Sequence, residues 1–87
     1  MDVISFELTE IAAAASTPDA HLELGLLYCA GRDDIAIDFV SAHTWFNLAA
    51  IRGNAEAKRY RMEIAREMSK RQIRQAQRRA REWLARH

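Results

Sequence analysis

The chain has 87 residues, 49% of them hydrophobic and 29% charged, with a formal net charge of +1. That length makes one small domain, able to bury only about 60 to 65% of the surface its unfolded chain exposes. The single cysteine, Cys29, cannot close an internal disulfide, no apolar run approaches the roughly 20 residues that cross a bilayer, and MDVISFELTE has acids where a secretory signal has bases, so a cytoplasmic protein is expected.

The near-neutral total hides an asymmetry. Residues 1–38 carry eight acids against Arg32 alone, whereas residues 39–87 carry twelve bases against Glu56, Glu63, Glu67 and Glu82. Such a split fits nucleic-acid contact, an acidic partner, self-association of unlike ends, or two solvated faces that attract each other within the fold.

In chain order, Ile4, Phe6 and Leu8 alternate with polar residues, while Leu8, Ile11, Ala12 and Ala15 follow a helical stripe, so an irregular or extended start gives way to a short helix over 9–15. Thr17 then stands as an N-cap with Pro18 at the first helical position, opening a helix over 18–30. It is apolar almost all round, with Ala20, Leu24, Leu27 and Tyr28 on one side and Leu22, Leu26 and Cys29 on the other, which predicts a helix held between neighbours. Gly25 in its interior costs about 1 kcal/mol relative to alanine, a cost that close approach of another helix would offset. Gly31 is placed to end the helix in the left-handed conformation, and Asp38 to cap the next.

The second helix is predicted over 39–52, with Ala42, Trp45, Phe46, Ala49 and Ala50 on one face and His43, Thr44, Asn47 and Ile51 on or near the other. Gly53 ends it, and Asn54 caps a third helix over 55–68 with Ala57, Tyr60, Ile64 and Met68 inward. Ser69 and Gln72 form a capping box for a last helix reaching residue 85. Its apolar stripe is Ile73, Ala76, Ala80, Trp83 and Leu84, and Arg71, Arg74, Arg78 and Arg81 project from the opposite side. The fold class is therefore all-α, a run of antiparallel helices with short connections.

An internal repeat runs through this pattern. Ala12-Ala13 before Asp19-Ala20 matches Ala49-Ala50 before Glu56-Ala57 at an offset of 37 residues. The full unit resembles the Sel1-like repeat family, relatives of the tetratricopeptide repeats, whose pattern A-x3-L-G-x2-Y-x2-G followed by D-x3-A-x2-W-x3-A-A-x2-G is met by Ala20, Leu24, Gly25, Tyr28, Gly31, Asp38, Ala42, Trp45, Ala49, Ala50 and Gly53. The loop from 31 to 38 is one residue longer than usual in that family, Asp33 or Asp34 stands where a second glycine is common, and after Ala57 the places of the next Leu, Gly and Tyr hold Arg61, Met62 and Ala65. The resemblance implies a short right-handed α-solenoid of antiparallel helix pairs, about four main helices plus the short N-terminal one. Residues 1–19 would form a partial repeat, 20–53 a full repeat and 54–87 a divergent helical cap. It also implies an adaptor between other proteins that presents a concave surface, with the matched residues as scaffold. The disulfide-bearing, penicillin-binding branch of the family does not carry over to a chain with Cys29 alone.

No constellation for catalysis emerges. His21, His43 and His87 lack H-E-x-x-H spacing, Ser41 beside His43 lacks a nucleophile elbow, and the three glycines are too far apart for a phosphate loop. A non-enzymatic module is expected, with no catalytic residue, cofactor or metal. His21 and His43 read as groove or surface polar residues and Cys29 as a small hydrophobe. The expected protein-binding face is His21, Leu22, Leu26 and Cys29, which point away from the second helix. The alternative function is a small nucleic-acid-binding or regulatory protein using the basic face of Arg71, Arg74, Arg78 and Arg81. Those arginines stand where any docked helix is solvated, with no aromatic among them to stack bases, so nucleic acid is not the expected partner. Because helical arrays need several repeats or caps, the last helix closes the open end or the chain forms a homodimer through its terminal helices.

Overall fold

A computed structural model describes residues 17–32 and 34–86. Among the described residues are four helices, α1 (Pro18–Ala30), α2 (Phe39–Ile51), α3 (Ala55–Ala65) and α4 (Lys70–Arg86), and no strand. The extended start and the helix expected over 9–15 lie outside these residues, as do Asp33 and His87.

Each helix begins where a side chain replaces the missing backbone acceptors of its first turn. The Thr17 hydroxyl accepts from Ala20 N–H at 3.1 Å, an Asp38 carboxylate oxygen from Ser41 N–H at 3.1 Å, and the Asn54 amide oxygen from Ala57 N–H at 2.9 Å. The capping box closes in both directions, Gln72 N–H to the Ser69 hydroxyl at 3.1 Å and Ser69 N–H to Gln72 Oε1 at 2.9 Å. Gly31, at φ 65° and ψ 49°, ends α1 while its N–H reaches the Leu27 carbonyl. α3 stops at Ala65, short of the expected 68, since residues 66–68 tighten into i→i+3 turns and the chain must leave the helix for Ser69 to cap α4.

α2 is the hub. It packs against α1, α3 and α4, and Ala42, His43, Thr44, Trp45, Phe46, Leu48 and Ala49 are all buried around its circumference. α1 runs antiparallel to it, its end held to the start of α2 by Asp38 N–H donating to the Tyr28 carbonyl at 3.0 Å and its start held beyond the far end of α2 by the Asn54 amide donating to Asp19, with Gly25 against Phe46 and His21 against Trp45. α3 turns back after Gly53, so that Glu63 comes to Cys29 near the start of α2, and it is held on α2 where the Phe46 and Tyr60 rings stack at 5.5 Å and Arg61 donates to Asn47. α4 runs in the same direction as α2: the Thr44 hydroxyl lies 3.4 Å from the Ala76 carbonyl, and further along Arg52 covers the Trp83 ring at 5.3 Å.

The last two helices differ from the expected chain of antiparallel neighbours. α3 and α4 do not pack along one another; each spends its one apolar side on α2. On α3 that side is Ala57, Tyr60 and Ile64, and on α4 it is Ile73, Ala76, Ala80 and Trp83, whereas Leu84, expected on the same stripe, is exposed at the end of the helix, beyond the packed core. What remains exposed on α3 is of mixed sign, Lys58 and Arg59 with Glu56 and Glu63, and on α4 largely cationic.

The close approach expected at Gly25 is present. A Cβ built there would lie 2.4 Å from ring carbons of Phe46, a side chain with 0% exposure. The glycine thus lets α1 and α2 meet with a ring between them.

Candidate functional site

Leu22, Leu26 and Cys29 follow one another at spacings of four and three on α1, so they share a face. All three are half-buried, packed against the core on their inner edge and open on the outer one. α3 lies along this side of α1 and in the same direction. At its start the Asn54 amide donates to Asp19 at 3.3 Å, and one residue past Ala55 sits the exposed Glu56. At the far end, the Glu63 carboxylate acts on Cys29: burial first, and then that negative charge, push the thiol above its ordinary range. The thiol form is thereby favoured, so Cys29 is suited to contact and ill-suited to nucleophilic attack at neutral pH.

A depression of about 510 Å³ opens at the start of this strip, between Pro18, Asp19 and Leu22 of α1 and the residues from Arg52 to Glu56 that turn α2 into α3. Its walls are mixed polar and apolar. Asp19, Glu23, Glu56 and Glu63, all exposed, give the strip an acidic border.

His21 does not belong to this face. It has 0% exposure and sits between two indoles, 5.3 Å from the Trp45 ring and 5.0 Å from Trp83, the latter edge-on at 88°. The expectation that it lines a groove is corrected by the buried stripe of α1, which is His21, Leu24, Gly25 and Tyr28. These are i, i+3, i+4 and i+7 positions, so the signal was present in the spacing, masked by the polarity of the imidazole. His43 is corrected likewise. It is 3% exposed because α2 is enclosed by three helices, and burial followed by the charge of Arg61 lowers its pKa from the ordinary 6.5, against a raising backbone hydrogen bond.

The residues of the repeat pattern are occupied with structure. Leu24, Tyr28, Ala42, Trp45 and Ala49 are buried and Ala20 and Ala50 half-buried. Gly25 admits Phe46, Gly31 and Gly53 hold positive φ, and Asp38 caps α2. Arg71, Arg74, Arg78 and Arg81 are all exposed on α4, away from the α1 strip. Among the described residues, no group of three or more His, Cys, Asp or Glu side chains is placed to hold a metal ion, and no helix is long and apolar enough to cross a membrane. Compared with known protein families, with curated proteins and with solved structures, the chain matches none.

Proposed function

We propose that this chain is a short Sel1-like helical-repeat module, a non-enzymatic cytoplasmic adaptor that recruits another protein through the outer face of α1. The observation that carries the reading is the half-exposed line of Leu22, Leu26 and Cys29 with its acidic border, the arrangement of a small apolar contact patch inside a polar rim. Supporting it, Thr17 and Asn54 cap α1 and α3 at corresponding positions, 37 residues apart, each accepting from the backbone three residues on. α1 and α3 both run opposite to α2 while α4 runs with it, an alternation of direction that helical repeats share. The acidic border selects a partner segment with apolar anchors flanked by Lys or Arg.

The test is capture of a protein by wild-type chain and by the Leu22→Glu/Leu26→Glu variant, with helix content checked by circular dichroism. A folded variant should lose the protein that the wild type retains. Retention by both would remove the α1 face from consideration.

A further inference from the structure

The arginine face of α4 is the strongest charge feature of the molecule, and the adaptor reading does not use it. α4 carries seven bases, Lys70, Arg71, Arg74, Arg78, Arg79, Arg81 and Arg86, against Glu82 alone, a net +6 in 17 residues. All of these side chains are exposed. A helix that is merely solvated on its outer face usually intersperses both signs and gains from i,i+4 pairs. Here the guanidinium groups of Arg71, Arg74, Arg78 and Arg81 form no ion pair among the described residues. Nor does the helix beneath offer compensation, since α2 from Phe39 to Ile51 contains no Asp or Glu.

We infer that this face binds the phosphate backbone of double-stranded DNA. Arg71, Arg74, Arg78 and Arg81 recur at helical spacing over about 15 Å of axis, a length against which B-form DNA presents one charge per about 1.7 Å. Arginine pairs with phosphate oxygens through a planar fork of donors, which favours it over lysine for this contact. Because α3 does not pack along α4, the helix stands clear on its outer side, and a helix of ordinary diameter fits the B-form major groove.

Other occupants fit less well. A protein partner would need an apolar or aromatic anchor at the centre of the contact, and the large apolar side chain that α4 exposes, Leu84, stands beyond the last of these arginines. A bilayer would need the apolar stripe of α4, and Ile73, Ala76, Ala80 and Trp83 are already packed on α2. A second copy would offer the acids of its first 38 residues, of which Asp38 is committed to the cap of α2 and Asp19 to Asn54, and that occupant is read by the sedimentation outcome below. Single-stranded nucleic acid would look for exposed rings, and α4 exposes none.

Fluorescence anisotropy of a short labelled DNA duplex of mixed sequence, titrated with the full chain across a salt series, tests the inference. Four phosphate contacts give a slope of log K against log salt of about −3.6, so raising salt from about 50 to about 200 mM should weaken binding about 150-fold. The Arg74→Gln/Arg78→Gln variant keeps the packing side of α4 and should bring the slope to about −1.8, while Leu22→Glu/Leu26→Glu should leave it unchanged. A single strand of the same length should bind more weakly. Absence of binding at low salt by a folded chain, a slope that ignores the two arginines, or equal or tighter binding of the single strand would each overturn it. So would a sedimentation result in which the arginine substitutions dissolve a dimer and duplex binding is absent.

Discussion

At Gly25 two opposing effects meet, and geometry decides which wins. Replacing a mid-helix glycine by alanine favours the helix by about 1 kcal/mol. Here the new methyl would fall 2.4 Å from the Phe46 ring, which is fully buried and stacked on Tyr60 and so has nowhere to move. Overpacking of this kind costs about 1 to 3 kcal/mol, so Gly25→Ala should lower stability in urea unfolding; an increase would contradict the close crossing. His43 gives a second expectation. Its native pKa lies below the ordinary 6.5, so the unfolded chain takes up the proton first as pH falls. Stability due to this group is complete above pH 6.5 and declines as pH drops from there toward the lowered native value. Arg61, the charged group facing it from α3, steepens that decline. Urea midpoints at about pH 7.5 and about pH 5.5 should therefore differ more for wild type than for His43→Gln.

Caps dominate at the level of the helices. Asn54→Ala removes the acceptor for Ala57 N–H and the donor to Asp19 together, and should cost about 1 kcal/mol in thermal or urea unfolding with α1, α2 and α4 kept. These caps were legible in the sequence because they depend on residues three apart, and Thr17, Asp38, Asn54 and Ser69 all cap as their spacing implies. Gly31 and the bounds of α1 were legible for the same reason. What local pattern did not carry was which helix each stripe meets. α4 has the expected stripe apart from Leu84, yet spends it on α2, and α2 is buried on the side where His43 was expected as a groove or surface residue. His21 was misplaced because its polarity was weighed above its position in the i, i+3, i+4, i+7 series of α1. Of the four residues expected on the docking face, Leu22, Leu26 and Cys29 do share an accessible side, which spacing alone could give.

For the whole molecule, one central helix carries the packing. A chain of this length is stabilised by about 4 to 13 kcal/mol in total. Removing Phe46, which has 0% exposure and touches both Gly25 and Tyr60, should cost about 3 to 5 kcal/mol, so Phe46→Ala is expected to populate unfolded chain at ambient temperature by circular dichroism. With its motif residues committed to packing and caps, the molecule turns outward an apolar strip on α1 and a cationic row on α4, the two faces on which the proposed bindings rest. The molecule supplies its own reporter for the first, since Cys29 is the sole thiol and lies half-exposed at the end of the strip. The most direct measurement is the rate at which a maleimide labels Cys29, at a mildly alkaline pH that offsets its raised thiol pKa, in the chain alone and in complex with the protein it captures, at saturation. The docking reading expects labelling to slow several-fold in the complex. An unchanged rate, with the partner fully bound, would place the interface elsewhere and contradict it.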